Sequence, residues 1–67
     1  MIFEQAIFLA VSVRQHPEWQ FLGIFPLEND LYYIEVSLRG HEEVFHLESW
    51  KDWDDAVAKM AKFLEYT

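Results

Sequence analysis

The chain reads as an α+β domain: a three-stranded antiparallel sheet with an N-terminal and a C-terminal helix on one face, in the order α-β-β-β-α. Three observations predict this. Helix-period apolar patterns occupy both ends of the chain, strand-like runs lie between them, and single glycines and prolines separate the segments. At 67 residues the chain forms one domain spanning 1–67, because so short a chain has material for a single core.

From Ile2 to about His16 the helical template fits. Ile2, Phe3, Ala6, Ile7, Leu9, Ala10 and Val13 gather on one arc, Glu4, Gln5, Ser12 and Gln15 fall opposite, and Pro17 blocks continuation. Phe8 is the discordant residue, since it lands on the polar side. The β-branched residues Ile7, Val11 and Val13 also permit a strand over Ala6 to Arg14, which would give β-β-β-β-α. Trp19 to Phe25 is too short for a helix between two prolines and reads as a strand of undecided facing, both parities being apolar. Pro26 to Asp30 is a polar turn cluster.

The second strand runs from Leu31 to Leu38, with Tyr32, Ile34, Val36 and Leu38 on one face and Leu31, Tyr33, Glu35 and Ser37 on the other. Arg39-Gly40 suits a two-residue hairpin turn. That turn pairs Leu38 with His41, Ile34 with Phe45, Tyr32 with Leu47, Tyr33 with His46 and Glu35 with Val44. The final helix opens on the capping pattern Ser49-Trp50-Lys51-Asp52 and carries the stripe Trp50, Trp53, Val57, Met60, Ala61 and Leu64. Lys59 and Lys62 suit its negative pole, and Asp52, Asp54 and Asp55 its positive one.

Composition narrows the function classes. Twelve acidic residues against five basic ones give a charge of -7 on a chain that is 52% hydrophobic and 18% aromatic. This is the profile of a folded acid rather than a disordered one. Such a surface repels nucleic acid and membranes and attracts basic protein surfaces. With no cysteine there is no disulfide or thiolate site. The apolar run Ala6 to Val11 lacks a basic leader and falls far short of the ~20 residues that span a bilayer. A soluble, unprocessed, cytoplasmic monomer is the expectation.

No pattern supports catalysis or a cofactor. His41-Glu42-Glu43-Val44-Phe45-His46 places its second histidine one residue too late for a zinc-protease helix and reads as a strand, where the two imidazoles point to opposite faces. His16 sits in a loop, and the aspartates of the last helix are accounted for by its dipole. Trp50 and Trp53 read as core.

The remaining acids carry the functional expectation. Glu28 and Asp30 lie in the first hairpin loop, Glu35 on the outer sheet face, Glu42 and Glu43 at the second hairpin and Glu48 before the last helix. Together with Tyr33 they are the candidate partner-binding residues. Carboxylates two apart on a strand are about 6.5–7 Å apart, comparable to phosphate spacing. Leu31, Tyr33 and Val44 share the outer face, so an aromatic patch rimmed by carboxylates is expected there.

The α-β-β-β-α order resembles the double-stranded RNA-binding domain in size and topology. Its functional lysine cluster at the start of the last helix is replaced here by the acidic stretch Ser49 to Asp55, with Lys51 the single base. In size, acidity, absent cysteine and aromatic content the chain resembles small acidic phage-encoded inhibitors, including anti-CRISPR proteins and other DNA mimics. That resemblance implies a non-enzymatic inhibitor whose carboxylates occupy a basic nucleic-acid site on a defence protein such as a CRISPR effector subunit or nuclease, in the host cytoplasm. An immunity protein or antitoxin against a basic toxin, and an oligomerisation module, are the alternatives.

Overall fold

The computed structural model describes residues 1–65 and has the α-β-β-β-α order. The elements are α1 (Phe3–Arg14), β1 (Trp19–Pro26), β2 (Tyr32–Leu38), β3 (Val44–Leu47) and α2 (Trp50–Leu64), with an antiparallel sheet in the order β1-β2-β3. The N-terminal segment is therefore a helix and not a fourth strand. Gln5 Oε1 accepts from the Ile2 amide at 3.2 Å, the half of a capping box that an isoleucine cap allows. Met1 braces this helix entry, exchanging two backbone hydrogen bonds with Tyr32.

Both helices cover the same face of the sheet. Ala6, Leu9 and Val13 of α1, Trp53, Ala56 and Met60 of α2, and Trp19, Ile34, Val36, Leu38 and Leu47 of the sheet form one buried cluster. Trp19 is its hub, with its ring 5.0 Å from that of Trp53 and 5.8 Å from that of Phe45. The α1 arc expected in the core is right at its centre but too wide. Small Ala6 and Ala10 let the helix sit close to the sheet, which leaves Ile2, Phe3 and Ile7 at an exposed rim. On α2, Ala56 takes a core place, whereas Trp50 is half-exposed and does not belong to the core.

A β-bulge settles the facing of β1. Trp19 pairs with Leu38 and Phe21 with Val36; the register then shifts across Leu22, so that Gly23 meets Glu35 and Ile24 meets Ile34. The extra residue switches parity, and both apolar sets reach the helices, Trp19 and Phe21 before the bulge and Ile24 after it. Leu22 itself is left exposed.

The two hairpin loops differ from expectation in an instructive way. In the first, Asn29 and Asp30 both have positive φ, at 61° and 59°, and Leu31 donates back to the Glu28 carbonyl. These are the signs of a primed turn, whose twist matches the strands. In the second, the Leu38–His41 turn forms with a 3.0 Å hydrogen bond, yet Gly40 alone has positive φ. A turn of that kind splays the strands, so His41 to Glu43 extend the loop and β3 begins at Val44 rather than His41. The register is accordingly displaced by two: Ile34 pairs with Leu47, Glu35 with His46, Val36 with Phe45 and Ser37 with Val44. An even shift preserves facing, so every β3 residue lies on the expected side of the sheet.

The α2 cap is close to the expected one. Ser49 Oγ accepts from the Asp52 amide at 3.3 Å, and Asp52 Oδ2 accepts from Glu48 N–H at 2.7 Å, one residue beyond the cap itself.

Candidate functional site

With both helices on one face, the opposite face of the sheet is open. Three rings cross it, one from each strand. Phe25 stacks on Tyr33 at 5.5 Å and 28°, and Tyr33 on His46 at 5.1 Å and 26°. The ladder explains the order: Phe25 lies directly opposite Tyr33, and His46 is diagonal to Tyr33 across the β2–β3 pair. Gly23 makes the stack possible, because a Cβ at that position would lie 3.0 Å from Phe25 Cζ. Glu35 completes the strip, its carboxylate 3.3 Å from His46 Nε2.

The other candidate acids divide between the two ends of the sheet. Glu28 and Asp30 sit in the first turn, beside the end of β2 that carries Tyr33. Glu48 follows Leu47, whose partner is Ile34, and so lies at that same end. Glu42 and Glu43 are in the second loop, at the far end of β2, roughly 15 Å away at ~3.3 Å per residue. Glu43 also turns toward α2 and binds Lys59 Nζ at 2.5 Å. The expected set therefore splits. Glu28, Asp30 and Glu48 lie at the Tyr33 end of the sheet, with Glu35 on its open face, and Glu42 and Glu43 lie at the far end.

Phe25 and His46 join Tyr33 in the site although neither is among the candidate partner-binding residues expected from the sequence. Phe25 was one of two possible outward sets for β1, and a glycine inside a strand is the signal of the bulge that decides between them. His46 is expected on this face opposite Tyr33, and the displaced register leaves it there, diagonal to Tyr33 and opposite Glu35. In the structure His41 turns the other way and packs edge-on against Phe63 of α2, at 4.5 Å. Among the described residues no three or more His, Asp or Glu side chains converge as a metal site.

A cleft of about 500 Å³ lies elsewhere, between Arg14, Trp19, Gln20, Phe21 and Arg39. Its lining offers guanidinium, amide and aromatic groups, with no nucleophile–base pair. Arg39 is held there by Nε donating to the Pro17 carbonyl at 2.9 Å. Among the described residues no helix is long and apolar enough to cross a membrane. Comparison with known proteins finds no family model, curated protein or solved structure that matches the chain.

Proposed function

We propose that the chain is a non-enzymatic inhibitory protein that docks through its open sheet face onto a basic surface of a partner protein. The observation that carries this reading is the Phe25–Tyr33–His46 stack on the open face, with Glu35 beside His46 and with Glu28, Asp30 and Glu48 at the end of the sheet where Tyr33 stands. Stacked rings present a flat apolar area that loses little conformational freedom on binding, and carboxylates at its margin select lysine and arginine. A nucleic-acid-binding groove on a defence protein, such as a CRISPR effector subunit or nuclease, is the partner class with that chemistry. The four carboxylates would take the places of phosphates there.

The division of the acids between two ends of the sheet favours a second reading, an immunity protein or antitoxin that caps a basic toxin without phosphate-like spacing. Competition separates the two. Once a partner has been captured and identified on the immobilised chain, duplex DNA or RNA should displace it if the carboxylates stand in for phosphates. An immunity-type contact away from the nucleic-acid groove resists displacement. Both readings require loss of the complex on Tyr33→Ala and steep weakening with salt. A complex indifferent to salt and to Tyr33→Ala contradicts both.

A further inference from the structure

Among the described residues the most exposed apolar surface lies not on the sheet but on α1. Phe3 (48% exposed), Ile7 (42%), Phe8 (66%) and Val11 (48%) form an apolar strip that runs from the rim, where the Phe3 ring meets Tyr32 edge-on at 5.0 Å, to the side of the helix away from the sheet. Phe3, Ile7 and Val11 follow one another at four-residue intervals, the ridge along which helices pack on helices. With a whole aromatic side chain at about 150–250 Å², the four leave roughly 400 Å² in water. A patch of this size matches the largest found on a typical monomer, which is often functional.

Charge identifies the occupant. Glu4 and Arg14 are the only Asp, Glu, Lys or Arg among residues 1–17, so the whole formal charge of -7 resides on residues 18–67. Two copies that approach through the sheet or α2 bring acid against acid. Through α1 they do not. Glu4 and Arg14 stand near opposite ends of the helix, are both exposed, and fall within the apolar arc of the wheel, Arg14 between Phe3 and Ile7 and Glu4 between Val11 and Phe8. An antiparallel arrangement of two α1 helices about a two-fold axis level with residue 9 therefore sets Glu4 against the second copy's Arg14, twice. The same axis sets Ile7 against the second copy's Val11.

We infer that the chain forms a symmetric dimer through α1, the partner being a second copy of itself. The apolar ridge supplies about half of the ~800 Å² per partner found in standard interfaces, so the dimer is weak and forms at high concentration. This differs from the monomer expected from the sequence, and the reason is the position of Phe3 and Ile7 at the rim rather than in the core. Because α1 lies between its own sheet and the axis, the dimer turns its two open sheet faces outward in opposite directions. It would engage a partner with two sites bivalently.

Sedimentation velocity from low micromolar to millimolar concentration tests this, with circular dichroism as a check that each variant keeps its fold. The wild-type chain should pass from monomer to dimer within that range. Ile7→Glu should weaken association at least tenfold, and Phe8→Gln, at the most exposed position, should weaken it in the same direction. Glu4→Arg and Arg14→Glu should each weaken it by about tenfold, since the axis repeats every contact. The two combined should restore association, which non-specific apolar aggregation cannot reproduce. A monomer at all concentrations, a dimer indifferent to Ile7→Glu, or a charge swap without restoration would overturn the inference. A dimer lost on Tyr33→Asp but kept in Ile7→Glu would place self-pairing on the sheet and overturn it equally.

Discussion

Deleting Leu22 should be tolerated, although single-residue deletions inside strands usually rotate half of the strand's side chains out of the core. Leu22 is the extra residue of the β1 bulge, and without it Phe21, Gly23, Ile24 and Phe25 alternate in the register they already occupy against Val36, Glu35, Ile34 and Tyr33. Leu22 is 43% exposed, so its loss forfeits about 1 kcal/mol of burial at the 1.5–3 kcal/mol of a fully buried leucine. For a domain of this size that corresponds to a fall in Tm of about 4–8 °C. Deleting Glu35 from β2, where no bulge can absorb the change, turns out either Val36 and Leu38 or Ile34 and Tyr32. Expelling Val36 and Leu38, both buried, costs about 3–6 kcal/mol. That matches the whole stability of a chain this long, roughly 3–10 kcal/mol at ~0.05–0.15 kcal/mol per residue. Urea and thermal unfolding followed by circular dichroism and tryptophan fluorescence would compare the two deletions. If the Leu22 deletion unfolds as completely as the Glu35 deletion, or exposes Trp19, the bulge does not set the facing of β1.

Other expectations follow from single residues. Trp19→Ala removes the hub ring between Trp53 and Phe45, costs about 3–5 kcal/mol, and should leave the chain largely unfolded at 37 °C by circular dichroism. Asp30→Gly relieves a left-handed residue in the first turn and should raise stability in chemical denaturation by about 0.5–1 kcal/mol, whereas Asp30→Val should lower it. Gly23→Ala pushes the Phe25 ring off its present position; it should disturb the aromatic resonances of Phe25, Tyr33 and His46 in NMR while changing stability by about 1 kcal/mol or less. Lys59→Ala breaks an exposed ion pair with Glu43 and should change stability by no more than about 1 kcal/mol, since solvent screens it.

What could be read in advance was set by local rules, and what could not depended on contacts made elsewhere. The α2 cap and buried positions Trp53 and Met60 follow from spacing alone, and Phe8, discordant on the wheel, is the most exposed large apolar side chain among the described residues. The α1 arc was misjudged at its edge because the helix is apolar nearly all round, so the pattern itself cannot say which flank meets the sheet. The facing of β1 was unreadable for a similar reason: Trp19 and Phe21 belong to one parity and Ile24 to the other, and only the bulge reconciles them. The β2–β3 register was missed by two residues because it hangs on the φ of Arg39, which is not positive as a primed turn demands. Among the acids, Glu35 was placed on the correct face by parity. Glu43 was not separable from Glu42 until the extended loop turned it toward Lys59.

The claim that the open sheet face is the docking surface is tested most directly by amide shift mapping of the isotope-labelled chain during titration with an arginine- and lysine-rich peptide. The account predicts that the largest changes fall on Phe25, Tyr33, Glu35 and His46 and on the Glu28–Leu31 turn, diminish with added salt, and vanish in Tyr33→Ala. Changes centred on Asp54 and Asp55 of α2, or spread evenly over every acid in the chain, would contradict it.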